Sequence, residues 1–157
     1  MTARQLVIGA LVLVMGLSCC GGGYALVRPL GQLPDPTSAT SPDDVVRTYL
    51  DAGNVRDLET MRAIVEDGRE AQFVPGYGDI LLRDNMVVDE VEVGAAVSSS
   101  GEGTMAEGWD QVERVPVTFH IVQSDGSFAR DDRTAWGYLL VRHGDDEPWQ
   151  IIDQGVG

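Results

Sequence analysis

SPDDVVRTYLDA, residues 41–52, has the features of a helix start followed by an amphipathic helix. Ser41 is suited to cap the free N–H groups of the first turn, and Pro42 suits the first helical position, where its missing N–H costs nothing. Two aspartates follow, where the positive end of the helix dipole stabilises negative charge. Apolar side chains then recur at helical spacing and predict one buried stripe: Val45, Val46, Tyr49 and Leu50.

A second helix is predicted shortly after the first. Gly53 is expected to end the first helix, and Asp57 is expected to cap the second. Apolar residues at helical spacing continue the second helix towards a stop at Asp67-Gly68; these residues are Leu58, Met61, Ile64 and Val65. Because the connection is short, the pair predicts an antiparallel helical hairpin.

After the hairpin, the hydrophobic period changes from helical to alternating. Residues 69–84 contain Pro75, Gly76 and Gly78, which predict a broken third helix or a loop over one end of the core.

The strands follow from Met86 onward. Pro116, which lies in the second of them, has no N–H, so we expect this part of the strand to lie at a sheet edge or a bulge. Alternation predicts four strands with these apolar positions: Val91, Val93, Ala95 and Val97; Val115, Val117, Phe119 and Ile121; Trp136, Tyr138 and Leu140; and the run Trp149 to Asp153.

Helices followed by antiparallel strands indicate an α+β fold. We expect the helical hairpin to pack on one face of a curved, cone-like, four-stranded antiparallel sheet. The third predicted strand is unusual because Gly137, Leu139 and Val141 make its second face apolar as well. This folded domain is expected to span residues 42–157, with residues 29–41 forming a Pro/Ser/Thr linker that acts as a stiff spacer.

Residues 1–28 predict a membrane anchor or a signal segment. LVIGALVLVMGLSCCGGGYALV, residues 6–27, has no charge, and as a helix it would be about 33 Å long, enough to cross a bilayer. An uncleaved transmembrane anchor is favoured because apolar residues resume after the glycines. A lipoprotein signal and a cleaved secretory signal stay open. In the lipoprotein alternative, Cys19 or Cys20 is acylated within a stretch that resembles a lipobox.

The charge of the chain excludes several classes of partner. All 25 acidic residues and nine of the 11 arginines lie in residues 35–157, giving that part a net charge of −16. A sequence-independent nucleic-acid binder needs an excess of cations, so that class is excluded. A domain with two distant histidines and no cysteine also gives no basis for a zinc cluster, and its acidic runs lack the spacing of a calcium loop. We therefore expect no metal and no cofactor.

The order of elements, opened by SPDDVVRTYLDA and closed by PWQIIDQGVG, resembles the nuclear transport factor 2-like superfamily, whose fold is a cystatin-like α+β cone. The chain is most similar in layout to small bacterial envelope members that carry this domain behind an anchor or lipobox. This resemblance implies a bacterial cell membrane protein with its carboxy-terminal domain outside, held by a single span or by a lipid. Members include isomerases, dehydratases, cyclases, immunity proteins and scaffold subunits, so the fold alone carries little functional weight.

The resemblance also directs attention to the interior of the cone. Enzymes of this fold are expected to use acid–base side chains there, and the candidates in this chain are His120 with Asp89 or Asp153. However, His120 alternates out of phase with the apolar positions of its strand, which predicts that it faces away from the core. The mouth of the cone is often a pocket in this superfamily, and the candidate lining residues are Phe73, Tyr77, Trp109, Trp136, Tyr138 and Trp149.

The leading hypothesis is therefore a membrane-tethered extracytoplasmic domain for protein interaction or small-ligand binding, without catalytic activity. The expected partners are the membrane, through the N-terminal helix, and an envelope protein or a small apolar ligand; the sequence also allows a homodimer. One alternative is a small acid–base enzyme of the isomerase or dehydratase type that uses the histidine–aspartate pair above. Another is an accessory subunit of an envelope transport or signalling complex.

Overall fold

A computed structural model describes residues 32–74, 86–123 and 133–155 of the chain. Three groups of predictions lie outside these residues. They concern the anchor over residues 1–28 with its lipidation candidates Cys19 and Cys20, the first part of the linker over residues 29–31, and residues 75–84 of the predicted broken segment with the pocket candidate Tyr77. In the part of the chain that is described, no helix is long and apolar enough to cross a membrane.

Three helices precede the sheet: α1 (Pro42–Val55), α2 (Leu58–Ile64) and the short α3 (Glu70–Phe73). The predicted start of α1 is confirmed, since the Ser41 hydroxyl accepts the N–H of Asp44 at 3.3 Å. The predicted end at Gly53 is wrong: the helix continues to Val55 and stops where Arg56 takes a left-handed conformation, with φ of 59°. The second helix stops at Ile64, before Asp67-Gly68.

Within the described residues, five strands form one antiparallel sheet. The order across the sheet is β1–β3–β4–β5, and β2 also pairs with β3, beyond the end of β1. The α+β class is thereby confirmed, with one strand more than expected. The strands are β1 (Met86–Val93), β2 (Val97–Ser98), β3 (Gln111–Gln123), β4 (Thr134–Arg142) and β5 (Gln150–Gly155).

The first predicted strand is split into β1 and β2 because a proline lies opposite the break. The carbonyl of Pro116 accepts the N–H of Gly94 at 2.8 Å. In an antiparallel ladder the partner would receive a bond in return, but proline has no N–H to donate. The ladder therefore stops after Val93 and resumes at Val97. Pro116 lies in a central strand, but the pairing opposite it is irregular: from Val93 to Val97 the neighbouring segment advances four residues while β3 advances three. The expected position at a bulge is thereby confirmed.

The break also changes which side chains of this segment are buried. Val91 and Val93 pack against the core as expected, but Val97 is 61% exposed and Ala95 is exposed as well. Ala96 packs inward in their place. The strict period of two is lost because residues 94–96 leave the ladder.

A bulge in β1 changes the register before that break. Pairing passes from Asp89 opposite His120 to Glu92 opposite Thr118, so β1 holds one residue more than β3 over this interval. Glu90 lies at the bulge with φ of 47°, a backbone region that residues other than glycine rarely adopt.

Apolar side chains cover both faces of the sheet. We call the face that packs against the helices the inner face and the opposite one the outer face. The inner face holds the main core, which includes Tyr49, Met61, Phe73, Val115, Phe119, Tyr138, Leu140 and Ile151. The outer face holds a second cluster of Ala106, Val112, Val141 and Ile152, with Trp109 and Leu139 packed against it. The two apolar faces predicted for β4 are confirmed, and the loop after β2 supplies the cover for the outer one.

Residues 32–41 are attached to the domain, although they were expected to belong to a spacer. Leu33 packs against the core, and its N–H donates to the carboxylate of Asp57 at 2.7 Å. Closer to α1, the carbonyl of Ser38 accepts a hydrogen bond from Arg142 at 3.4 Å. The side-chain amide of Gln32 also donates to the carboxylate of Glu59 at 2.9 Å. Residues 32–41 therefore belong to the folded unit.

Candidate functional site

A cleft of about 250 Å³ opens on the outer face of the sheet, between the loop after β2 and strands β4 and β5. Two charged side chains line it: Arg114 from β3 and Asp153 from β5. Its floor is formed by Gly137, Leu139 and Gly155. The cleft therefore combines opposite charges with a floor that includes two glycines.

The guanidinium group of Arg114 lies over Gly137. A Cβ placed on Gly137 would come within 3.2 Å of Nε and 3.3 Å of Nη2 of this arginine. Glycine within a strand often marks such a close approach by another group. Among the described residues, no carboxylate forms an ion pair with Arg114. Within the described part of this acidic chain, the N–H donors of Arg114 are therefore available to a ligand.

Asp153 forms the opposite wall of the cleft. It pairs with Leu139 across β4 and β5, and one carboxylate oxygen accepts the N–H of Gln154 at 2.9 Å. Within the described part of the chain, no cation pairs with Asp153. The acid–base hypothesis included this residue, but His120 does not share the cleft.

The remaining wall is the loop after β2, which is held by its own hydrogen bonds. The hydroxyl of Thr104 donates to the carbonyl of Gly101 at 2.8 Å and accepts the N–H of Ala106 at 3.1 Å. Ala106 is fully buried in the outer-face cluster, and Trp109 stacks on His143 with ring centroids 4.2 Å apart. This wall is thus fixed to the sheet by packing as well as by turns.

His120 lies on the outer face, as its phase in the strand predicts. Its Nδ1 is 3.7 Å from carboxylate oxygens of both Asp89 and Glu90, beside the bulge in β1. The acid–base alternative requires these groups to converge inside the cone. They come together on the opposite side of the sheet, where the two carboxylates are 57% and 66% exposed. The geometry therefore does not supply the enclosed acid–base site that this alternative needs.

The aromatic pocket candidates do not line one cavity within the described residues. Phe73, Tyr138 and Trp149 are buried in the main core, and Trp136 packs against its edge. Trp109 belongs to the outer-face cluster, on the other side of the sheet. Of the described members of this set, only Tyr138 also borders the cleft described above.

Two buried polar atoms on the inner face lack hydrogen-bond partners in the described part of the chain. They are the indole N–H of Trp136 and the side-chain carbonyl oxygen of Gln154. Buried polar groups are normally paired, so these two are exceptions. The indole N–H is a hydrogen-bond donor on β4, and the Gln154 oxygen is an acceptor on the neighbouring strand β5.

The sequence hypotheses missed Arg114 and Gly137. A lone glycine in a strand pattern was the available signal, because it marks a possible close approach. The identity of the approaching group depends on the register between β3 and β4, which brings Pro116 opposite Gly137 and Arg114 opposite Leu139. A single sequence does not specify that register.

The described residues contain no group of three or more histidine, cysteine or acidic side chains placed to hold a metal ion. Comparison with known proteins adds no identification, because no family model and no curated protein matches the chain.

Proposed function

We propose that this chain is a membrane-tethered, non-enzymatic binding domain that takes a small ligand with an anionic group in the outer-face cleft. The carrying observation is the guanidinium of Arg114, which lies over Gly137 and pairs with no described carboxylate. Arginine offers several N–H donors in a planar arrangement that matches the two oxygens of a carboxylate.

The charge of the surroundings supports a small ligand rather than a large acidic surface. Residues 35–157 carry a net charge of −16, so an acidic macromolecule would be repelled at long range. A small anion in contact with Arg114 experiences the nearby cation more strongly than the distant acids, because exposed charges beyond about 10 Å are screened by salt.

The shape of the cleft supports the same conclusion. Gly155 leaves the backbone of β5 open on this face, since a Cβ there would meet no other atom within 4 Å. A ligand can therefore contact β5 beside the Arg114 guanidinium without displacing a side chain. The loop after β2, which forms the wall around Thr104, is already ordered by its own hydrogen bonds. This order reduces the entropy that is lost when a ligand binds.

The membrane tether in this proposal rests on the uncharged segment of residues 6–27 and on the attachment of Leu33. Five residues lie between that segment and Leu33, and the six residue-to-residue steps that join them span at most about 22 Å. A domain held in this way stays close to the membrane surface, and its cleft samples only the solution near the membrane.

A titration with acetate tests the proposed function. The full chain in detergent micelles, labelled with ¹⁵N, is titrated with sodium acetate against sodium chloride at equal ionic strength. We expect saturable shifts of the Arg114 Nε–Hε signal and of the Gly137 and Gly155 amides. Arg114→Gln should weaken acetate binding by up to about fivefold, the equivalent of about 1 kcal/mol for an exposed charged contact.

The matched control is Arg47→Gln, since Arg47 is an exposed arginine of α1 far along the chain from the cleft. This variant loses the same charge and should bind acetate like the wild type. Equal acetate affinity in the two variants, or acetate shifts no larger than those of chloride, would overturn the proposal.

A further inference from the structure

We infer that the ligand of the outer-face cleft is a short zwitterion of the α-amino acid class, with its carboxylate on Arg114 and its ammonium group on Asp153. This inference rests on the proposed function and adds the chemical class of the ligand. It depends on the position of Arg114 relative to Asp153, the two charged residues that line the cleft.

Strand register places the two charges on the same face of the sheet. Arg114 pairs with Leu139, and Leu139 pairs with Asp153, so the three residues form one row across β3, β4 and β5. Side chains of directly paired residues point to the same side of a sheet. Since β4 lies between the other two strands, the charged residues start about 9 to 10 Å apart at the backbone.

The side chain of Arg114 shortens this distance without closing it. Its guanidinium lies over Gly137, and Gly137 pairs with Gly155, two residues beyond Asp153 on β5. Diagonal neighbours of this kind are about 7 to 8 Å apart. In agreement with that separation, the two side chains do not form an ion pair with each other among the described contacts.

Two opposite charges that face each other across glycine discriminate between ligands. A simple anion on Arg114 gains one contact but is repelled by Asp153, and a simple cation on Asp153 is repelled by Arg114. A molecule that carries both charges satisfies both walls. The remaining carboxylate oxygen of Asp153 has no described partner and can accept an N–H of the ammonium group.

The size of the cleft favours a short ligand. The cleft measures about 250 Å³, and no ion pair joins the two charged side chains that line it. In an α-amino acid, one carbon separates the two charged groups, so both can be reached at once. A long zwitterion with its charges at the ends of an extended chain cannot place both charges inside the cleft.

Three probes test this inference on the full chain in detergent micelles: glycine, acetate and 6-aminohexanoate. Their affinities are measured at neutral pH and equal ionic strength from the shifts of the Gly137 and Gly155 amides. We expect glycine to bind about fivefold more tightly than acetate, the gain of one exposed charged contact. The longer zwitterion should bind no more tightly than acetate.

Asp153→Asn gives the second measurement. This variant should bind glycine and acetate with equal affinity, whereas Asp51→Asn, which changes an exposed aspartate of α1, should keep the fivefold preference. The wild-type comparison of the three probes does not depend on whether the Asp153 variant folds.

The outcomes separate this inference from the proposed function. If acetate binds through Arg114 but glycine binds no better, the zwitterion inference is overturned and the anion-binding proposal stands. If glycine and 6-aminohexanoate bind equally well, the short spacing is wrong and the inference is again overturned. If none of the three probes binds, both proposals fail.

Discussion

The carboxylate of Asp57 accepts the backbone N–H of Leu33 at 2.7 Å, joining residues that are 24 positions apart in the chain. The other oxygen of the same carboxylate caps α2 by accepting the N–H of Thr60 at 3.2 Å. The Asp57 side chain thus caps α2 and also binds the segment that precedes α1. This arrangement explains why the segment around Leu33 belongs to the folded unit.

We expect Asp57→Ala to lower the free energy of unfolding by about 1 to 3 kcal/mol, because the variant loses a helix cap and leaves the N–H of Leu33 without its acceptor. Urea unfolding of the full chain in detergent, followed by circular dichroism at neutral pH, measures this change. Asp51→Ala, an exposed aspartate in α1, serves as control and should differ from the wild type by less than about 0.5 kcal/mol. Equal losses in the two variants would contradict the dual role of Asp57.

The same carboxylate predicts a pH dependence. Burial raises the pKa of Asp57, but the hydrogen bonds from Leu33, Thr60 and Glu59 together outweigh burial and lower the pKa below its usual 3.8. Such a group binds its proton less readily in the folded state than in the unfolded state. Its contribution is therefore full above the unfolded pKa and is lost as the pH falls through the folded pKa.

We accordingly expect the stability difference between the wild type and Asp57→Asn to be largest near neutral pH and to shrink below about pH 4. Urea unfolding at a series of pH values from about 6 to about 2.5 measures it. A difference that stays constant over this range would show that the charge of Asp57 is not what stabilises the attachment.

Asn54 attaches α1 to the edge strand β1, and this contact gives a further prediction. Its side-chain amide donates to the carbonyl of Val88 at 2.9 Å and accepts the N–H of Val88 at 3.0 Å, as a neighbouring strand would do. Asn54→Ala should lower the free energy of unfolding by about 1 to 3 kcal/mol and should speed hydrogen exchange at the Val88 amide. Thr48→Ala, which removes an exposed hydroxyl of α1, should leave that amide as protected as in the wild type.

We expect substitutions at Gly94 and Pro116 to be coupled in their effect on the free energy of unfolding, because the two residues meet at the break between β1 and β2. A Cβ on Gly94 would lie 2.9 Å from the Cγ of Pro116, so Gly94→Ala should cost about 1 to 3 kcal/mol through overcrowding. The cost should be clearly smaller in a Pro116→Ala background, because the ring that causes the crowding is absent. A double-mutant cycle from urea unfolding measures the coupling; purely additive effects would show that the contact with the ring is not the cause.

We expect Gly137→Ala to weaken acetate binding while leaving the protein folded. The added methyl group would press on the end of the flexible Arg114 side chain rather than on backbone, so the stability should change by less than about 1 kcal/mol. Acetate affinity, measured by the titration described above, should fall because the guanidinium is displaced. In an Arg114→Gln background the same substitution should have no further effect on acetate affinity.

Local spacing accounts for what could be predicted about the helices and the central strand. The cap at Ser41 and the buried stripe of α1 depend on neighbours within one or two turns, and both are confirmed. The alternation of Val115, Val117 and Phe119 likewise depends only on the period of a strand, and these side chains are buried. Such features need no knowledge of distant parts of the chain.

Contacts between distant segments account for what the predictions missed. The end of α1 depends on how Arg56 leaves the helix, and the break after Val93 depends on a proline in another strand. The cleft depends on register across three strands, because a shift of one residue would turn Arg114 or Asp153 to the other face. None of these relations is carried by a single stretch of sequence.

The sequence by itself determined the α+β class, the start of each of the first two helices and the outward position of His120, because hydrophobic period and capping are properties of short segments. Only the tertiary structure decided that Arg114 lies over Gly137 opposite Asp153, and that Leu33 is held by Asp57. These pairs are distant in sequence, and they meet because backbone pairing and burial between separate elements set their register and position.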